Sequence, residues 1–359
     1  MNPADPVRGP DAPMHPVRGP AVWRADDMAG RDDWLHVLAE DEVAELSAAA
    51  DEACAGGFDL LGLDRGRFDL SSSLSETLAR IRSRIIDGLG FVQIRGLPVA
   101  RFGRRKAATI FWGIAQHFGD EVVSQNARGN LLDHVKDIGQ EFRDPTSRGP
   151  YTRERIEYHT DACDVVGLLC LHPSVSGGES TLASGGAVHN EMLCRRPDLV
   201  EALLEPVYRD RRGEVPSGRE PWYAMPVFNF FEGHLSITNE PSYIDSVARF
   251  FDTNPNSPAQ LEGLRLLDEI AEELHFDIAF EAGDMQFLHN HTVMHSRQAF
   301  TDFPDPARKR HLLRIWLLTH DGRPVPPVFF ERNGSPDTSR RPGGIVGTDT
   351  TPRVPLDGL

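Results

Sequence analysis

Between Phe91 and Thr319 the apolar residues of this 359-residue chain gather into short runs that do not alternate regularly with helical stripes. A parallel sheet needs a crossover helix after nearly every strand. The pattern therefore argues against a doubly wound α/β sheet and for a mainly β domain with helical additions, a barrel or jelly roll. "FVQIRGLP" at 91–98 reads as a strand closed by Gly96 and Pro98, and "VVGLLCL" at 165–171 as a buried strand. Further strands are predicted at 207–211, 226–231, 234–238, 277–281, 284–288, 291–295 and 311–319. Helical periodicity marks 40–55, 71–88, 104–118 and 186–195, the last stopped by Pro197. In 71–88 the stripe is Leu74, Leu78, Ile81 and Ile85. A helical insertion at about 241–275 combines 241–251 with 258–274. With 40% hydrophobic residues, one core can span 26–330 as a single domain.

The ends are different. "PVRGP" occurs at 6–10 and again at 16–20, a density of Pro and Gly that predicts disorder over 1–25. Residues 331–359, also rich in Pro and Gly, read as disordered or as an arm lying over the body. The net charge of −16 weighs against nucleic acid and anionic membrane as partners. No stretch is long and apolar enough to span a membrane, and the first residues lack the apolar region of a signal peptide. Cys54, Cys163, Cys170 and Cys194 form no CxxC pair, which favours reduced thiols in a cytoplasmic protein.

The chemistry concentrates in a few places. His159 and Asp161 precede the run at 165–171; on a strand, side chains two apart share a face. A metal ion or a surface hydrogen-bonded pair both fit this spacing. In "EAGDMQFLHNHTVMHSR" (281–297), His289, His291 and His295 have even spacing, so on one regular strand all three share a face and spacing does not choose among them. In "RKRHLLRIWLL", Arg310, Leu312, Arg314, Trp316 and Leu318 take one side of a strand. Arginine is rarely buried unpaired, so this side reads either as salt-bridged or as a pocket for carboxylates. Two histidines, one carboxylate and a following arginine form the ordered set of a non-haem Fe(II) site open to a 2-oxo acid. Trp222, Tyr223 and Phe228 to Phe231 line a pocket or the core. The weakly patterned stretch 121–158 reads as functional, a lid over the site.

Together "GFVQIRGLP", "HTD", "SGGES", "GDMQFLHNHTVMHSR" and "RHLLRIW" resemble, in order, the taurine dioxygenase and clavaminate synthase superfamily of Fe(II)/2-oxoglutarate-dependent oxygenases. The resemblance covers roughly residues 88 to 320. It implies a double-stranded β-helix, a jelly-roll barrel, with Fe(II) held by His159, Asp161 and His295, which selects His295 over His289 and His291. It assigns Arg310 to the far carboxylate of 2-oxoglutarate, Ser180 or Thr181 to a hydrogen bond with that co-substrate, and Arg314, Asn290 and Gln125 to the substrate. Relatives usually carry Thr where this chain has Ser180. Asp161 occupies a position that halogenating relatives give to a small residue. The implied reaction uses O2 to oxidise a C–H bond of a small organic molecule, most simply by hydroxylation, with release of succinate and CO2. The same site also supports desaturation, cyclisation or dealkylation. A zinc hydrolase or a non-catalytic metal-binding barrel fits the three ligands but gives Arg310 no task.

Overall fold

The computed structural model describes residues 14–56, 60–124, 129–140, 149–333, 338–345 and 351–356. Its frame is two sheets. The larger has seven strands: Leu35–Val37, Phe91–Arg95, Met285–His289, Val165–His172, His311–Leu318 and Asp120–Val122 in spatial order, with Leu132–Val135 also paired to His311–Leu318. The smaller runs Phe276–Ile278, Ser180–Ser184, Val293–Arg297, Ile156–His159. Apart from the parallel pair Leu35–Val37 and Phe91–Arg95, both sheets are antiparallel. The described strands thus form two open sheets rather than one closed ring.

Alternation along the strands decides what each face meets. On the large sheet Val165, Leu169, Phe287, Leu313, Ile315 and Leu317 point outward into a core shared with the helices Glu40–Ala55, Ser72–Ile86 and Val99–Ala115. The second helix presents the predicted stripe of Leu74, Leu78, Ile81 and Ile85, and Ser71 caps its start by accepting from the Leu74 amide. The intervening residues Phe91, Val166, Leu288 and Trp316 face the other way and meet Leu182, Ile278 and Val293 of the small sheet. Arg314 shares a side with Trp316, so the strand delivers its arginine between the sheets, as its period of two requires.

The outer face of the small sheet is covered by Gly185–Arg195, Pro197–Leu204 and Pro258–Leu274, which enclose Tyr158, Ala183 and Met294. Pro197 does end the first of these, but it also opens the second, because a residue without an amide proton costs nothing at a helix's first position. The predicted strand 226–231 is present as Phe228–Phe231, paired with His234–Ile237, and a strand not predicted, Trp222–Met225, pairs with Val207–Asp210. Pro226 separates them.

The N-terminal segment differs from expectation where it is described, whereas the described C-terminal residues follow the alternative of an arm lying over the body. Residues 14–25 are not loose: Val17 bonds through its amide and carbonyl to the Asn190 side chain, and Trp23 is buried with its indole N–H on the Leu89 carbonyl. The apolar side chains between the prolines supply the anchoring that the Pro and Gly count conceals. Residues 1–13 lie outside the described set. At the other end the Gly344 amide reaches the Ala162 carbonyl (2.7 Å), and Arg341 grips Asp164 (Nη2–Oδ1 2.8 Å).

Asp164 is almost wholly buried. It also accepts from the Thr319 amide at 2.8 Å and lies 2.7 Å from His291 Nε2. Burial opposes its charge, but His291 and Arg341 outweigh burial and hold the carboxyl well below its usual range. A carboxyl whose folded pKa is depressed stabilises fully above its unfolded pKa and loses that contribution as pH falls. Asp164→Asn is therefore expected to cost about 3–5 kcal/mol at pH 7. In denaturant melts the gap from the parent should narrow below about pH 4, the unfolded value of an aspartate. A gap independent of pH would contradict this role.

Candidate active site

In the small sheet His295 stands directly opposite His159 in the antiparallel register of Val293–Arg297 and Ile156–His159. Directly opposed residues share a face with Cβ atoms about 5 Å apart, and the two imidazole centroids are 4.1 Å apart. Asp161 lies two residues beyond the end of its strand, so the shared-face argument for His159 and Asp161 does not apply as stated. The turn out of the strand brings the carboxylate in instead. Asn290 Oδ1 accepts the Asp161 amide at 3.0 Å, and the Trp316 indole N–H donates to Asp161 Oδ2 at 3.1 Å. Among the described residues, His159, Asp161 and His295 bring one donor atom each within 4.8 Å of one another.

The donor states suit a divalent cation. His159 Nδ1 donates to the Glu157 carbonyl at 2.8 Å, which leaves Nε2 with its lone pair. His295 Nδ1 is buried with no hydrogen-bond partner, and its Nε2 faces Asp161 Oδ2 across 3.7 Å, beyond hydrogen-bond length. Burial, then the neighbouring His159, pushes the His295 pKa down to about 3, so the ring is neutral. Burial works against the Asp161 charge too, but Arg314 and the two imidazoles outweigh it and keep the carboxyl low. A buried imidazole with neither nitrogen satisfied beside an ionised carboxylate is costly unless a cation takes the shared position. The residues fit a metal.

The other two histidines are elsewhere because 281–297 is not one strand. Met285–His289 belongs to the large sheet and Val293–Arg297 to the small one, and residues 290–292 turn between them. His289 is fully buried against Thr292 (3.2 Å), and His291 serves Asp164.

The three donors line a cavity of about 130 Å³. Val166, Leu168, Leu312 and Phe280 form apolar parts of its wall, and Ser180 and Arg310 reach it as well. Arg310 is 4% exposed. It donates to the Gly178 carbonyl at 3.2 Å, its Nη1 has no partner, and burial lowers its pKa to about 10. Arg297, whose guanidinium like that of Arg310 lies against the Phe300 ring, is pushed down to about 9 by burial and by Arg310. Two buried cations without a carboxylate of their own therefore lie against one aromatic ring. Gly178 makes this approach possible: φ is +76°, and a Cβ there would lie 2.9 Å from Arg310 Nε.

Ser180 and Thr181 separate by strand alternation. Ser180 faces the cavity and donates to Gln286 Oε1 at 2.6 Å, whereas Thr181 faces away and donates to Asp277. Arg314 stands opposite Asp133 in register, bonds to it at 3.2 Å and also supports Asp161. Asn290 does not line the cavity: its amide spans the Asp161 backbone and Cys163 Sγ, so the substrate assignment for it gives way to a scaffolding one. Cys163 is likewise packing, with a thiol pushed up by burial. Gln125 falls outside the described residues, as do 126–128 and 141–148 of the stretch read as a lid; its described parts give Val135, Gly149, Pro150 and Ile156 to the wall. Tyr223 lines the cavity, but Trp222 and Phe228 do not.

Several contributors were missed. Trp316 shares a strand face with Arg314, a readable signal. Asp133 sits in a polar stretch with nothing to mark it. Arg332 and Ile345, both on the cavity wall, lie in the segment whose composition suggested a passive arm.

A sequence model described as "Taurine catabolism dioxygenase TauD, TfdA family" matches residues 53–316. The chain is 31% identical over 320 residues to the FR-33289 synthase of Streptomyces rubellomurinus, covering 87% of this chain and 93% of that protein. It is 29% identical over 311 residues to the taurine hydroxylase-like protein SAT17 of Stachybotrys chartarum, covering 82% and 77% respectively. An asparagine oxygenase solved with Fe(II), 2S,3S-3-hydroxyasparagine and succinate superposes with a TM-score of 0.63 at 18% identity, over 80% of this chain and 94% of that one.

The scaffolding role of Asn290 is testable. Asn290→Ala should weaken Fe(II) or Mn(II) binding by about 10–100-fold, the usual effect of losing a group that orients a ligand, measured by metal titration. Unchanged metal affinity would contradict it.

Proposed function

The chain belongs to the TauD, TfdA dioxygenase family, and we propose that it hydroxylates a C–H bond of a small organic substrate, with release of succinate and CO2. It is an Fe(II)/2-oxoglutarate-dependent oxygenase. The reading as a 2-oxoglutarate-coupled oxidation rests on one observation: Arg310, a buried guanidinium with no carboxylate bonded to it among the described residues, opens on the same cavity as His159, Asp161 and His295. A zinc hydrolase leaves that charge unused. The two sheets are read as the two faces of a double-stranded β-helix.

When bound, iron and 2-oxoglutarate convert O2 into an oxidant able to attack an unactivated C–H bond. His159, Asp161 and His295 would hold the metal. Trp316 keeps the Asp161 carboxylate aimed by donating to Oδ2. The Arg310 guanidinium would grip the far carboxylate of the co-substrate, and the Ser180 hydroxyl on the same wall would bond it by turning its proton from Gln286. Val166, Leu168, Leu312 and Phe280 keep water from the reacting atoms. Arg314, held by Asp133, would touch the substrate or co-substrate on the metal's side. Desaturation, ring closure or dealkylation would use the same residues. The described cysteines are free thiols, in keeping with a reducing, cytoplasmic setting. Among the described residues no helix is long and apolar enough to cross a membrane.

Two outcomes test this. His295→Ala should abolish iron-dependent succinate formation, whereas His289→Ala and His291→Ala, where folded, keep a measurable fraction; the reverse ordering would reassign the ligand. Arg310→Ala should weaken 2-oxoglutarate binding by tenfold to a hundredfold or more, from charge-assisted hydrogen bonds of about 1.5–3 kcal/mol each. Arg310→Lys should restore only part, because an ammonium lacks the planar fork. Anaerobic titration of 2-oxoglutarate into the Fe(II)-loaded variants reads this directly, and unchanged affinity in Arg310→Ala would remove the carboxylate anchor.

A further inference from the structure

The described part of the C-terminal arm does more than cover the body. Arg341 holds the buried Asp164 carboxylate (Nη2–Oδ1 2.8 Å), and two backbone bonds follow close behind. The Gly344 amide donates to the Ala162 carbonyl at 2.7 Å, and the Ile345 amide to the Val123 carbonyl at 2.9 Å. Ala162 follows Asp161 in the turn from the small sheet to the large one, and Val123 follows the edge strand Asp120–Val122. Residues 341–345 thus form a strap between the ligand-bearing turn and a sheet edge.

Two glycines make this path possible. Gly344 has φ +70°, and a Cβ there would lie 2.9 Å from Val122 Cβ; a Cβ on Gly343 would run into the Leu318 side chain. Ile345 is the first side chain after them. It lines the cavity and packs against the apolar cluster that holds Ala162, Val166 and Trp316. It is the strap's one contribution to the cavity wall, because Arg341 is spent on Asp164. The surface that the strap presents to a ligand is therefore apolar.

The position along the cavity decides which ligand Ile345 meets. Arg310, Leu312, Arg314 and Trp316 all line the cavity from one side of the same strand and its approach. At about 3.3 Å per residue, Trp316 lies about 20 Å along the chain from Arg310. Val122 stands opposite Trp316 in register, so the strap crosses at the Trp316 end. A five-carbon diacid that reaches from Arg310 to the three metal ligands leaves that end unfilled.

We propose that Ile345 is a specificity-determining residue: the strap sets it into the substrate's end of the cavity, where it limits the length of the substrate's hydrocarbon part. The inference rests on the oxygenase reading, which assigns the Arg310 end to 2-oxoglutarate. Affinity at such a wall rises about fourfold for each CH2 that finds room, and falls once a longer chain has to displace the packed side chains.

The test uses the full chain loaded anaerobically with Fe(II) and 2-oxoglutarate, with the straight-chain primary alcohols from methanol to octanol as probes. Binding is read by calorimetry, and the iron–2-oxoglutarate absorption band in the same samples reports whether the alcohol sits beside the metal. In the parent, affinity should rise with chain length to a limit and then drop. Ile345→Ala should move that limit outward by about two to three carbons, the size of what is removed. Ile345→Phe should move it inward. Should Ile345→Phe not fold, the milder Ile345→Val still supplies an ordered series with Ile345→Ala. The affinity for 2-oxoglutarate should follow the parent throughout. A limit that stays in place in Ile345→Ala, or no alcohol bound by any of these proteins, overturns the proposal. So does a tenfold or greater loss of 2-oxoglutarate affinity in Ile345→Ala, which would put the side chain at the co-substrate's end. No band, with a calorimetric limit that still shifts, sinks the oxygenase reading alone, whereas a normal band with an unmoved limit sinks this one alone.

Discussion

The register between Val293–Arg297 and Ile156–His159 is the constraint on which the site depends. It sets His295 directly across from His159. A slip of one residue would turn His295 away from the cavity and bring its neighbour to the face instead. The register is held by what lies on both sides of it. Val293–Arg297 is paired along its whole length with Ser180–Ser184, and Ser296 Oγ donates to the Ile156 carbonyl at 2.7 Å. The same pairing places Ser180 on the cavity wall and turns Thr181 outward. One sheet thus fixes both imidazoles and the neighbouring hydroxyl, while the other supplies the arginines and the tryptophan that orients Asp161.

Buried charge is the second organising feature. The protein buries many arginines and gives most of them a carboxylate: Arg314 has Asp133, Arg341 has Asp164, Arg332 has Glu240. Three arginines whose guanidinium ends on backbone carbonyls, Arg310, Arg297 and Arg211, line the cavity. Among the described residues no carboxylate is bonded to them, which is the physical reason to propose small anionic molecules as their partners. The overall charge of −16 gives no hint of this, because the acidic excess is spread over the surface.

What the sequence made legible follows the same division. Period-two alternation correctly placed Arg314 and Trp316 on one face of His311–Leu318 and Leu313, Ile315 and Leu317 on the other. The helical stripe from Leu74 to Ile85 was equally plain, since local spacing alone determines it. The choice among His289, His291 and His295 was not readable from spacing, because even intervals imply a shared face only if the strand is unbroken. The turn at residues 290–292 carries the chain from one sheet to the other, and only the pattern of the wider motif pointed past it. Asn290 looked like a polar group on the way into the site, yet its side chain is spent on the Asp161 backbone. The N-terminal segment was misjudged, and the role of the C-terminal arm missed, for a related reason. Pro and Gly content reports local stiffness and turn preference, not the few side chains, Trp23, Arg332 and Arg341, that tie such segments down.

The account predicts a single metal position bounded by two residues of one chain segment and one of another, with the co-substrate's far carboxylate on a third. A crystal structure of the protein prepared anaerobically with Fe(II) and 2-oxoglutarate examines this most directly. The account predicts iron bound by His159, Asp161 and His295, and 2-oxoglutarate with its far carboxylate against Arg310. Iron held through His289 or His291, or 2-oxoglutarate seated away from Arg310, would contradict it.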